Sequence, residues 1–158
     1  LRHGQDIELS HRIYKSGANV LHIPEAIVYH RRRTTLSKFF KQVFNWGVAR
    51  VNLGKKNRAM LEPLHFAPSI VTVIAFVITY YFFRDPIRNG PLFELGLGFL
   101  MFVSGVGCWY LKDIRGFFLL LLVMPVQIFG FGLGFILAFI YRFIFRKGEW
   151  SGFTKRYY

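Results

Sequence analysis

GFFLLLLVMPVQIFGFGLGFILAFIY, residues Gly116 to Tyr141, runs for 26 residues without an Asp, Glu, Lys or Arg. A helix needs roughly 20 apolar residues to cross the hydrocarbon core. The stretch therefore suffices for one passage and falls short of two, which take about 40 residues. Pro125 and the glycines at 130, 132 and 134 interrupt it, which leaves a kinked span or a re-entrant hairpin as alternatives. Gly130 and Gly134 form a small-x-x-x-small pair, compatible with close helix packing and with a lipid- or product-facing role.

Two further stretches free of those charged residues precede it, Leu64 to Phe83 and Leu95 to Leu111. The connections read as short: Arg84-Asp85-Pro86 with Asn89-Gly90-Pro91, then Lys112-Asp113-Ile114-Arg115. Short links favour antiparallel neighbours. Three crossings is the expected count, and it carries a conflict. An odd number puts the tail opposite the N-terminal part, yet the tail holds Arg146, Lys147, Lys155 and Arg156, just after Arg142. Basic residues favour the cytoplasmic side.

A net charge of +13 fits either nucleic acid or an anionic lipid surface. Aromatic residues at 19% and a mean hydropathy of +0.33 favour lipid, and no base-reading motif is present. Residues 1 to 65 carry twelve Lys/Arg against four Asp/Glu, beside apolar stretches that have none. Cys108 is the single cysteine, so neither an intrachain disulfide nor a Cys-based zinc site is available, and it reads as a small packing residue. His3, His11, His22, His30 and His65 lack metal-ligand spacing. No secretory signal opens the chain, and 65 soluble residues make a marginal core. The expectation is the C-terminal piece of a larger domain.

Four segments are expected: 1–33 the end of a catalytic domain, 34–62 an amphipathic interfacial helix with a basic loop, 63–142 the transmembrane region, and 143–158 a basic tail. Within the first, Asp6 to Ser16 has helical spacing and Gly17 supplies a left-handed stop. Asn19 to Ile23 and Ala26 to His30, rich in Val, Ile and Tyr around Pro24-Glu25, read as the last strands of a mixed α/β domain. From Thr34 to Leu53, Leu36, Phe39, Phe40, Val43, Phe44, Gly47 and Val51 recur at three- and four-residue steps. Ser37, Lys38, Lys41 and Asn45 lie between them, a pattern that suits a helix in the headgroup layer or one packed on a soluble core. Gly54 to Arg58 reads as a loop.

Gly4-Gln5-Asp6-Ile7-Glu8-Leu9-Ser10-His11-Arg12, then Gly17, Pro24-Glu25-Ala26 and His30, resembles the closing section of family 2 glycosyltransferase domains. The resemblance covers about residues 4 to 55 and extends loosely into the spans. It implies a GT-A-type α/β catalytic domain, here its final part, followed by an all-α membrane region. Asp6 would be the general base, taking the proton of an acceptor hydroxyl as it attacks the anomeric carbon of a nucleotide-activated sugar with inversion. On local grounds alone Asp6 also suits a helix N-cap, with Glu8 supporting the first turn. Gln5 stands where the family usually has Glu, one negative charge fewer.

Gln42-Val43-Phe44-Asn45-Trp46 is similar to the Gln-x-x-Arg-Trp element of processive members of that family, with Asn45 in place of the Arg. The similarity implies that Trp46 contributes to the acceptor site and Gln42 lies near the diphosphate. Loss of the bidentate guanidinium leans toward single additions. Trp46 at the headgroup level of an interfacial helix is the other reading. His30 and Arg33, in a run with Arg31 and Arg32, suit phosphates of the donor or acceptor, or a solvated turn against anionic lipid. The Mg²⁺ or Mn²⁺ implied by the resemblance has no Asp-x-Asp here to hold it.

The expected function is thus transfer of a sugar from a nucleotide-sugar donor to a lipid-linked or exported glycan acceptor, by an integral membrane protein whose catalytic part is cytoplasmic. Its partners would be donor, acceptor and membrane lipids, with no nucleic acid. A non-catalytic membrane scaffold with a basic, lipid-binding juxtamembrane helix is the alternative.

Overall fold

A computed structural model describes residues 3–29 and 35–153. Helices account for nearly all the order: α1 Gln5–Lys15, α2 Leu36–Lys56, α3 Ala67–Arg84, α4 Pro86–Leu111 and α5 Ile114–Phe139. A π-helical turn, Ile140–Ile144, extends α5, and short 3-10 turns at Arg58–Met60 and Pro63–Phe66 lead into α3.

The expected α/β fragment is overturned: the described residues are all-helical, with no strand or sheet. Residues 18–29 form an irregular segment with one turn, in which Ala26 N donates to Ile23 O at 3.1 Å. β-branched composition favours a strand only where a neighbour accepts its hydrogen bonds and side chains. Among the described residues no such neighbour runs beside this segment, and Leu21, Val28 and Tyr29 are exposed.

Several helix ends follow local chemistry. Gly17, at φ 70°, ends α1 as expected. Thr35 caps α2 by accepting from Lys38 N, and Asp85 caps α4 by accepting from Arg88 N at 3.1 Å. Others depart from the sequence reading. The expected loop from Gly54 begins as helix and turns only at Asn57, because Gly54 packs against Leu61. α4 starts at Pro86 instead of Leu95, taking Asn89-Gly90-Pro91 into the helix. Pro86 sits at the first helical position, where its missing N–H costs nothing. The hairpin alternative for 116–141 is excluded, because α5 continues through Pro125.

α2 is the best-buried helix. α5 covers one side, where Phe44, Val48 and Val51 pack with Phe135 and Ala138. Gly47 meets the backbone of Phe131 and Phe135, Gly134 meets that of Phe44, and Gly130 meets Val43 and Phe40. These glycines serve close packing. A second side is covered by the chain after α5: Asn52 Nδ2 donates to Trp150 O at 2.7 Å, and Phe44 meets the rings of Trp150 and Phe153 at 5.9 and 4.8 Å. α1 covers a third, with Gly4 against Leu53 and Ala49. Asn45, expected on the polar side, is 3% exposed because the tail lies over it.

Among the described residues three helices are long and apolar enough to cross a membrane, Pro63–Arg84, Pro86–Leu111 and Ile114–Ile144. α3 and α5 run antiparallel: Phe66 meets Phe135 and Phe139 edge to face, Gly132 lies against Thr72, and Phe76 meets Phe129. α4 meets α3 where Phe82 stacks on Phe93, and α5 where Cys108 and Leu111 adjoin Gly116.

Candidate functional site

Trp46 is half-exposed on α2, with Gln42 one turn before it and Arg50 one turn after, a stripe at four-residue steps. Beside the stripe, α2, the start of α3 and the middle of α5 line a half-open cavity of about 400 Å³. Trp46, Leu64, His65, Gln127, Ile128 and Phe131 are in its wall. The lining is largely apolar, with three polar groups set into it.

Those three groups differ in what they offer. His65 Nδ1 accepts from Glu62 N at 2.9 Å, so the neutral ring keeps its proton on Nε2 as a donor. The Trp46 indole N–H is a donor only. Gln127 is the one amide in the 116–141 stretch and is exposed at the rim of the cavity. Polar side chains in apolar spans are costly and mark functional positions.

Asp6 lies elsewhere. The N-cap of α1 is Gly4, in left-handed conformation at φ 76°, so Asp6 is inside the first turn and does not cap it. α1 is pinned to α2 by Gly4, by a Glu8–Lys56 ion pair and by Asn57 Nδ2 donating to His11 Nε2 at 2.8 Å. Residues 4, 8 and 11 share one face, and Asp6 falls on the opposite one, exposed. The Lys56 hydrogen bond holds the Glu8 carboxyl below its ordinary range, against a smaller opposing effect of burial.

Of the expected site residues, Trp46 alone lines the cavity; Gln42 neighbours it on the stripe, and Asp6 is not brought to the same lining. His30 and Arg33 lie outside the described residues. Among the described residues no group of three His, Cys, Asp or Glu is placed to hold a metal. His65 and Gln127 were missed by sequence reasoning. Gln127 had a signal, an amide alone in an apolar run; His65 had none, since it depends on how the turn Pro63–Phe66 folds over α2.

Comparison with protein-family models, curated proteins and solved structures returned no match.

Proposed function

We propose that this chain is the membrane-side end of an inverting glycosyltransferase, transferring a sugar from a nucleotide-sugar donor to a lipid-linked or exported glycan acceptor. The ordered run of Gly4, Asp6, Arg12, Gly17, Pro24 and His30 before a Gln42/Trp46 helix carries the reading. The position of Trp46 in a cavity beside membrane-length helices supports it. Asp6 accepts the hydroxyl proton as the acceptor oxygen bonds to the anomeric carbon, while the bond to the nucleotide diphosphate breaks and its oxygen keeps the electron pair. The reading needs donor and divalent-metal residues, for Mg²⁺ or Mn²⁺, outside these 158. It places α1 and α2 on the cytoplasmic face, where the surplus of Lys and Arg in residues 1–65 belongs.

Replacing Asp6 with Asn in the full-length membrane protein removes the proton acceptor at constant size. Transfer of labelled sugar in membranes should fall by about 10²–10⁴, with expression unchanged. An undiminished rate removes the mechanism. The outward position of Asp6 favours a second reading, a non-catalytic scaffold whose basic surface recruits anionic lipid. That reading predicts no transfer by the wild-type protein, and retention on anionic vesicles that survives Asp6→Asn.

A further inference from the structure

Asn57 closes α2 and opens the Arg58–Met60 turn. Its backbone N–H donates to Leu53 O at 2.7 Å, its carbonyl accepts from Met60 N at 3.0 Å, and its side-chain Oδ1 accepts from Ala59 N at 3.1 Å. The last contact fixes the amide, because a flipped side chain would set Nδ2 against the Ala59 N–H, donor against donor. Nδ2 is therefore the atom that faces His11 Nε2, at 2.8 Å. An N–H only donates, so Nε2 must present its lone pair and the ring proton must sit on Nδ1. The contact exists for the neutral imidazole alone. An imidazolium carries N–H at both nitrogens and would meet the amide donor to donor.

How much depends on this bond follows from its neighbours. α1 meets α2 through residues 4, 8 and 11: Gly4 packs on Leu53 and Ala49, Glu8 pairs with Lys56, and His11 takes the amide. Lys56 is 58% exposed, so its ion pair contributes little. Losing the His11 bond frees the far half of α1, while Gly4 keeps the near end in place. The charged groups around the ring offer it no second anchor. Glu8, one turn back on the same face, is taken by Lys56, and Arg12 and Lys15 on α1 and Arg58 after Asn57 are cationic.

We propose that the His11–Asn57 hydrogen bond is a pH-sensitive latch, in which neutral His11 holds α1 against α2 and protonation lets the far half of α1 lift. Histidine is the side chain that gains its charge between pH 8 and 5. The neutral form makes the bond, so docking is complete at the upper end of that range and is lost as pH falls. α1 carries Asp6, which makes His11 a positioning residue for sugar transfer; that consequence rests on the transferase reading above, and the latch itself does not.

The test uses the full-length protein in nanodiscs of neutral phospholipid, in a background free of other cysteines, with fluorophores on Ser10→Cys of α1 and Ser37→Cys of α2, both exposed positions. Between pH 8 and 5 the undocked fraction should rise about fivefold, the effect of one intramolecular hydrogen bond. The Glu8–Lys56 pair titrates below pH 4.5 and leaves that window clear. His11→Gln, whose side-chain oxygen accepts from Nδ2 and does not titrate, should stay docked throughout. Asn57→Asp turns an oxygen toward the ring and should reverse the signal, with docking tightest in acid. A wild-type signal that is flat from pH 8 to 5, one that His11→Gln leaves unchanged, or loosening of Asn57→Asp in acid overturns the proposal. Sugar transfer measured in parallel separates the two readings. Latch opening without any transfer sinks the transferase alone, and Asp6-dependent transfer with a flat docking signal sinks the latch alone.

Discussion

Asn45, in the middle of α2, has its amide engaged with the tail. Nδ2 donates to Phe153 O at 3.2 Å and Oδ1 accepts from Phe153 N at 2.9 Å. The pair copies a backbone bridge, so both polarities of the side chain are needed. Asn45→Asp keeps the acceptor but turns an oxygen toward the Phe153 carbonyl. The buried mismatch should cost about 1–3 kcal/mol, read as a lower unfolding temperature in detergent and faster proteolysis at Lys147. At Glu8 the dependence is on pH. Its carboxyl in the folded chain titrates below its free value of 4.5, so the Lys56 pair contributes fully above that pH and is lost as pH falls through the depressed value. Lys56 is 58% exposed, so the effect is small. A fluorophore pair on α1 and α2 should report a slight further loosening in acid below pH 4.5, with Gly4 still holding the helices together, and Glu8→Gln should remove that pH dependence.

The crossing of α2 over α5 depends on two glycines that face the opposite backbone, Gly47 toward Phe131 and Gly134 toward Phe44. A side chain at either pushes the helices apart and opens the Phe44, Val48 and Phe135 core. Gly134→Leu should therefore destabilise by at least about 1–3 kcal/mol and lower the temperature at which the detergent-solubilised protein aggregates. Gly148→Leu, with open space around that position, should not. These contacts also explain how far sequence could be read. Apolar length located α3 and α5, and Gly17 stopped α1, because such signals act within one element. Residues 19–29 have the composition of strands but meet no partner strand, which composition cannot report. Asn45 read as solvated because its cover arrives from 108 positions away. The cavity was legible only at Trp46: the isolated Gln127 was passed over, and the third wall comes from a turn with no pattern of its own.

The tail's contacts constrain how often the chain passes through a membrane. Asn45 and Asn52 of α2 hold residues 150 and 153, and His3 Nε2 lies 3.0 Å from Ser151 O, so the segment before α3 and the segment after α5 form one body. Both must lie on the same face, which requires an even number of crossings. α3 and α5, packed antiparallel, satisfy it by leaving and returning. α4 joins the far ends of that pair, with Arg88 near its start and Lys112 at its end. An even count then follows where α4, whose 26 residues make about 39 Å of helix, does not carry the chain back across. Two crossings also remove the charge conflict that three create, because the basic tail joins the basic first 65 residues on one side. In a background with Cys108 replaced by Ala, single cysteines at Arg88 and Lys112 should react with an impermeant maleimide from one face, and a cysteine at Gly148 from the other. Labelling of positions 88 and 112 from opposite faces would establish α4 as a third crossing, and the tail could then not remain on α2.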